Sequence, residues 1–511
     1  MMRRLAILAI LASPGLMSCQ GGVPVEEAAA SISEADFLRK VSVIADDSMM
    51  GRADPSPGLD MTAQWIADEF ERYGLKPGGD DGGFIQKYHI GETATDFEAS
   101  SAQVTGGPAL EFGTDLSFMR GSVAGQVTGT VAVLAGDLAG AQDLPADQIS
   151  GKHLVIVPAA GAPTSGRRRM RFPSGMTDAQ PASVIFVDQS SDEDWAAAVE
   201  RARNQRQTVT PWAGDSGGGL PMLTIRESSL EPLLAAHGVQ LSRIMAGAGG
   251  DAALVDVPDL EITFNTVVQD MGGFDMPNTV GILEGSDPEL KNEYIVFSGH
   301  MDHIGIRQPN EAGDSIANGA DDDASGTIAV VELAEAFSML AERPRRSMIF
   351  LAVSGEEVGL WGSRFFAENP SVPSDQLVAD LNADMISRNA PDSIVVIGKE
   401  HSDLGETMNR VNAAHPELNL TAADDIWPEQ NFYRRSDHFN FARRGVPVLF
   451  FFCGTHEDYH GVDDEVERMD ITKATNTAKL IFYLGLELGN AAQKPQWDPD
   501  SYAEIVEDMG G

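Results

Sequence analysis

The chain has 511 residues, 42% apolar and 22% charged, enough apolar material for a sizeable core and for about two or three domains. Its 36 Lys and Arg stand against 77 Asp and Glu, a formal charge of −41. That balance excludes nucleic acid as a partner, because phosphate binding needs a basic face.

The N-terminus places Arg3 and Arg4 before an apolar run, 5–11, that is too short to span a bilayer. Leu16, Met17, Ser18 and Cys19 follow and resemble a bacterial lipobox. Residues 1–19 are thus expected to be a lipoprotein signal peptide, with a lipid on Cys19. Gln20 after the cysteine fits release to the outer membrane, facing the periplasm or the cell surface. With Cys19 acylated, Cys453 has no partner for an intramolecular disulfide; its apolar setting makes it a buried thiol. Residues 20–31 read as a tether.

Ser33 with Asp36 predicts a capped helix start, and the helix runs to about 46. A second helix covers 62–73 and ends at Gly74. From about 110 the texture changes to strand-like runs at 127–134, 153–157, 182–187 and 220–225. Helical patterns lie at 195–204 and 230–237. Residues 115–255 are therefore expected to form an inserted, β-rich domain, within which the basic run 167–171 reads as a solvated loop. The strand–helix alternation returns at about 262. Strands are predicted at 279–283, 294–297, 347–353, 377–381, 393–397 and 446–452, with helices at 327–341, 403–414 and 471–489. Continuous apolar runs alternating with helices predict an α/β three-layer αβα sandwich around a mixed, mostly parallel sheet. Its segments are 32–114 and 256–490, and the acidic tail 491–511 is expected to be peripheral.

The chemistry clusters after predicted strands. His300 and Asp302 follow one; Asp321, Asp322 and Asp323 open a helix; Glu356 and Glu357, Asp384, and His460 each follow others. Carboxyl edges of open α/β sheets are where ligands bind. That many carboxylates placed together repel unless a cation neutralises them.

The run from Gly299 to Asp302, the turn from Asn318 to Gly326, the loop from Ser354 to Ser363, Asn382 to Asp384, and Tyr459 to Gly461 together resemble the secreted bacterial zinc aminopeptidases. Their superfamily also holds glutamate carboxypeptidase and glutaminyl cyclase. The resemblance implies two Zn2+ per chain. His300 and Asp384 would bind one, Glu357 and His460 the other, and Asp322 would bridge them. Asp302 would orient His300, and Glu356 would be the general base. The segment from Phe432 to Phe439 implies that Tyr433 donates to the oxyanion. His303 is expected to line the pocket without binding metal, and 115–255 to be a protease-associated domain. The expected activity is removal of N-terminal residues from peptides. A carboxypeptidase or dipeptidase on the same centre is the alternative, with Arg434, Arg435, Arg443 or Arg444 as the substrate clamp. A non-catalytic surface binding protein is the alternative of another class. After the last histidine, the run from Gly461 to Glu465 departs from the family's commoner turn and is expected to touch only the rim.

Overall fold

The computed structural model describes residues 22–119, 124–135, 146–157, 180–204, 206–210, 212, 220–247 and 253–507. The signal-peptide reading, Cys19 and the basic run 167–171 lie outside these residues. The chain forms two compact units, one of 1–88 with 275–511 and one of 89–274.

The first unit is built on a mixed sheet. From one edge its strands are Thr421–Ala423, Ser393–Ile397, Val448–Phe452, Leu377–Ala383, Tyr294–His300, Ser347–Val353 and residues 279–283 of the long strand Ala253–Leu283. The central neighbours run parallel, Tyr294–His300 with both Ser347–Val353 and Leu377–Ala383, and Leu377–Ala383 with Val448–Phe452. All four are buried almost throughout. Burial on both faces explains why their sequences are continuous apolar runs rather than alternations.

Successive side chains of the Tyr294–His300 strand serve opposite layers. Phe297 packs on Phe337 of the Gly326–Met339 helix, ring centroids 5.4 Å apart, and closely approaches Gly485 of the Ile471–Asn490 helix. Ser298 points the other way. Its hydroxyl donates to Asp380 and Asn382 at 2.8 and 2.9 Å, and the Asn382 amide donates to Ser436, just before the His438–Ala442 helix.

The Glu34–Ile44 helix begins at Ser33, whose hydroxyl accepts from Asp36 N as a cap. Val25–Ser31 is also a helix, with Ala28 and Ala29 buried, so the expected tether 20–31 is packed structure over its second half. At seven residues it is too short to show a periodicity. The tail is likewise not peripheral: Trp497 donates to Gly445 O at 2.9 Å and Ile505 is buried.

The second unit is itself layered. Gly125–Ala135, His153–Val157, Ser183–Asp188 and Met222–Arg226 run parallel in that order. Val131, Val133, Val155 and Ile185 face a cluster shared with Trp195, Val199 and Leu234 of its helices. Ala132, Leu134, Leu154 and Ile156 form a second cluster with Ile149. This unit extends beyond the expected 115–255 because Ile85–Val104 and Ala253–Leu283 are long strands. Ile85–Val104 is half-exposed and rich in polar residues, so its strand period carries no apolar run.

Candidate metal centre

The sheet register brings the site together. His300 pairs with Val353, and Ala383 pairs with Phe451, so His300, the loop after Val353, Asp384 and the loop after Phe452 leave the sheet at one carboxyl edge. Two glycines allow the close approach. At Gly326 a Cβ would lie 2.0 Å from Ala383 O, and at Gly319, φ +54°, it would lie 2.2 Å from Asp322 O.

Each of the three aspartates in the turn does a different job. Asp323 accepts from His300 N at 3.0 Å, Gly326 N at 2.8 Å and Met385 N at 3.0 Å, tying two strand ends to a helix start. Asp321 accepts from the amide and hydroxyl of Ser387 at 2.7 and 2.6 Å. Both act as loop and capping groups. Of the three, only Asp322 has its carboxylate facing the rings of His300, His303 and His460. Its Oδ1 lies 3.3 Å from His300 Nε2, and its Oδ2 lies 3.3 Å from His460 Nε2.

Around this carboxylate the other groups converge. Asp384 Oδ1 is 3.7 Å from His300 Nε2, and Glu357 Oε2 is 3.1 Å from His460 Nε2. Asp302 lies on the far side of the His300 ring, its Oδ1 3.7 Å from Nδ1, and its Oδ2 accepts from Glu357 N at 3.2 Å. Ser436 donates to Asp384 Oδ2 at 2.7 Å. His303 comes closer than a pocket-lining role requires. Its Nδ1 is 2.9 Å from Glu357 Oε1 and 3.9 Å from Asp322 Oδ2, so two histidines approach the same pair of carboxylates.

Electrostatics make the cluster a cation site. Burial disfavours a charged His300, yet the carboxylates of Asp302, Asp322 and Asp384 outweigh it and push the imidazole well above its usual range. His460 is pushed up to about 9, because Asp322 and Glu357 outweigh its burial. Burial tends to raise Asp322, but His300 and His460 overcome it and hold the carboxyl far below its usual range. In effect the histidines take up protons where a positive charge is needed. Asp322 Oδ2, Glu357 Oε1 and both nitrogens of His303 are buried and make no well-directed hydrogen bond, although His303 Nδ1 and Glu357 Oε1 face each other at 2.9 Å. The spacing suits zinc: with bonds of about 2.0–2.1 Å, tetrahedral ligand atoms sit about 3.3 Å apart.

Glu356 lines the same cleft, with His300, Asp322 and Asp384, and burial pushes its carboxyl well above the usual range. Phe432, Phe450 and Phe452 give the cleft an apolar wall, and Arg435 and Tyr459 complete it. Two larger surface grooves, one between Arg410 and Tyr483 and one beside Asp80, lack the His300 and His460 constellation.

Tyr433 follows the cleft residue Phe432, and its hydroxyl is buried without a hydrogen-bond partner. It is 8% exposed, packed against His401 and His438 at 4.4 and 5.3 Å, and is not among the residues lining the cleft. Tyr459 occupies the wall instead, stacked on the His460 ring at 3.9 Å and within the field of Asp322, Asp384, Glu357 and Glu356. The run after His460 also does more than touch the rim. Asp464 is fully buried and accepts from the backbone amides of Asp321 and Asp322 at 3.1 and 3.0 Å. No motif marks Asp464, because its partners are backbone groups.

Residues 278–485 match the model of a family described as Peptidase family M28. A probable zinc metalloprotease of Pyricularia oryzae is 36% identical over an alignment of 250 residues that covers 43% of this chain and 46% of that protein. A probable leucine aminopeptidase of Arthroderma otae is 26% identical over an alignment of 223 residues that covers 42% of this chain and 58% of that protein. The chain thus spans about half the length of the curated relatives it matches. An aminopeptidase from Aneurinibacillus sp. strain AM-1 has a similar fold, with a TM-score of 0.51 at 16% identity over 93% of this chain and 98% of that one.

Proposed function

We propose that this chain, whose residues 278–485 match the model of peptidase family M28, is an exported two-zinc exopeptidase that removes N-terminal residues from peptides. The observation that carries this reading is Asp322, whose two oxygens each face a different histidine at 3.3 Å. A carboxylate in that position can bridge two ions. His300 and Asp384 would complete one ion's set, and Glu357 with His460 the other's, with His303 beside them. Asp302 would orient the His300 ring, as imidazoles that bind metal require.

Zinc held there supplies Lewis acidity and lowers the pKa of water. Glu356 is the base: its carboxylate takes the proton of the attacking water and returns it to the leaving amine nitrogen. Tyr459, on the cleft wall, is placed to donate its phenol proton in a hydrogen bond to the developing oxyanion. Phe432, Phe450 and Phe452 supply an apolar surface for a substrate side chain. Arg435 on the same wall favours the second reading, a carboxypeptidase or dipeptidase, since it can pair with a substrate carboxylate. We assign 89–274 as the protease-associated domain, and a lipid on Cys19 as the membrane anchor of an outer-membrane protein.

Replacing Glu356 tests the assignment. Glu356→Gln is expected to bind two zinc ions and to lose about 10²–10⁴-fold in kcat. A variant as active as the parent would remove Glu356 from the role of base.

A further inference from the structure

We propose that Arg52 is a positioning residue of the metal centre, a single buried guanidinium that fixes the His300–His303 loop and the Asp322 turn to each other. This inference rests on the metal-site reading above, but not on the substrate.

Arg52 is fully buried and spends its donors on backbone carbonyls of three separate segments. Nε donates to Met301 O at 2.8 Å, between the two histidines. Nη1 donates to Asn318 O at 2.6 Å and to Ile44 O at 2.8 Å, and Nη2 donates to Gly319 O at 3.0 Å. Four of the five N–H groups of a guanidinium are thereby used. The backbone of the same turn makes further ties, with His303 N donating to Arg52 O at 3.1 Å and Gly305 N to Gly51 O at 2.9 Å. Asn318 adds a side-chain bond to Asp47 at 2.8 Å.

The conformation is specific. Met50, Gly51 and Arg52 all have left-handed backbones, φ 52°, 65° and 48°. Left-handed backbones at the non-glycine residues Met50 and Arg52 persist only where surrounding contacts determine them.

The Asp322 turn is therefore gripped from both ends. Arg52, a cation, holds the carbonyls of residues 318 and 319; Asp464, an anion, holds the amides of 321 and 322. Among the described residues Arg52 forms no ion pair, yet Asp302, Asp322, Asp323 and Asp464 all act on its charge. The guanidinium offsets their mutual repulsion from behind the site without bonding to the Asp322 oxygens that face the histidines. Lysine cannot replace it, because one ammonium cannot span four carbonyls on three segments.

The test is a zinc titration of metal-depleted protein, wild type against Arg52→Lys and Arg52→Met, with Arg346→Met as control. Arg346 is 1% exposed and also bonds to backbone carbonyls, those of Leu488 and Ala491, but none of its partners belongs to the site. Both Arg52 variants are expected to bind zinc roughly 10- to 100-fold more weakly, the usual effect of losing a group behind the ligands. Arg346→Met is expected to lower thermal stability and leave zinc affinity unchanged. Folded Arg52 variants with wild-type affinity would overturn the proposal. Should a variant fail to fold without metal, refolding in saturating zinc supports the role, and failure to refold there overturns it in favour of a plain core residue. Wild type that binds no zinc would instead sink the metal-site reading itself.

Discussion

Tyr433 and Tyr459 separate what a motif can carry from what only the folded chain decides. Each lies beside a histidine or in a segment that resembles a catalytic one, yet only Tyr459 lines the cleft. Tyr459→Phe is expected to lower kcat by about 10²-fold or more with little change in zinc content, while Tyr433→Phe leaves kcat within about twofold. Steady-state kinetics on the two variants check this, and an inactive Tyr433→Phe beside an active Tyr459→Phe would reverse the assignment. The ligand-type residues were legible because each sits in a short contiguous motif, His300, Glu357, Asp384 and His460 at or after strand ends and Asp322 at a helix start. Arg52 and Asp464 were not, since their partners are carbonyls and amides far away in the chain, Arg52 bonding to segments some 250 and more residues later.

Among the helices, the joint between Glu34–Ile44 and Gly326–Met339 rests on Lys40. Its ammonium is fully buried and lies 2.9, 3.0 and 2.7 Å from Asp36, Glu332 and Glu335. Burial pulls Lys40 down, but Glu332 and Glu335 outweigh it, so it stays charged. For Glu332 the balance is reversed: burial exceeds the pull of Lys40 and raises the carboxyl from 4.5 to about 7. A raised carboxyl pKa means that the folded state holds the proton more tightly than the unfolded chain. This group's contribution is therefore full below about pH 4.5 and is lost as pH rises through about 7. Glu332→Gln is expected to remove that slope, narrowing the difference in melting temperature between pH 5 and pH 8. Equal differences in variant and wild type would contradict it. None of this network is visible in the sequence beyond the helix starts, because three acids and one lysine on two helices become a cluster only on packing.

On the scale of the whole molecule, the core sheet of the first unit was readable, because parallel strands buried on both faces must be continuously apolar. The extent of 89–274 was not, because Ile85–Val104 and Ala253–Leu283 are long strands whose polar, half-exposed faces hide their period. Among the described residues no helix is long and apolar enough to cross a membrane. The proposed anchor, a lipid on Cys19, is tested by detergent phase partition of the full chain expressed in a bacterium that processes lipoproteins. Wild type is expected in the detergent phase and Cys19→Ser in the aqueous phase; identical partition of the two would contradict the anchor.

The reading stands most directly on which end of a peptide is attacked. Hydrolysis should be measured on free-amine, N-blocked and carboxyl-terminal peptide substrates, with protein of known zinc content, with and without chelator. Cleavage of free-amine substrates alone is expected, lost with chelator and restored by zinc. Release of carboxyl-terminal residues from N-blocked peptides, or turnover that survives complete removal of zinc, would contradict it.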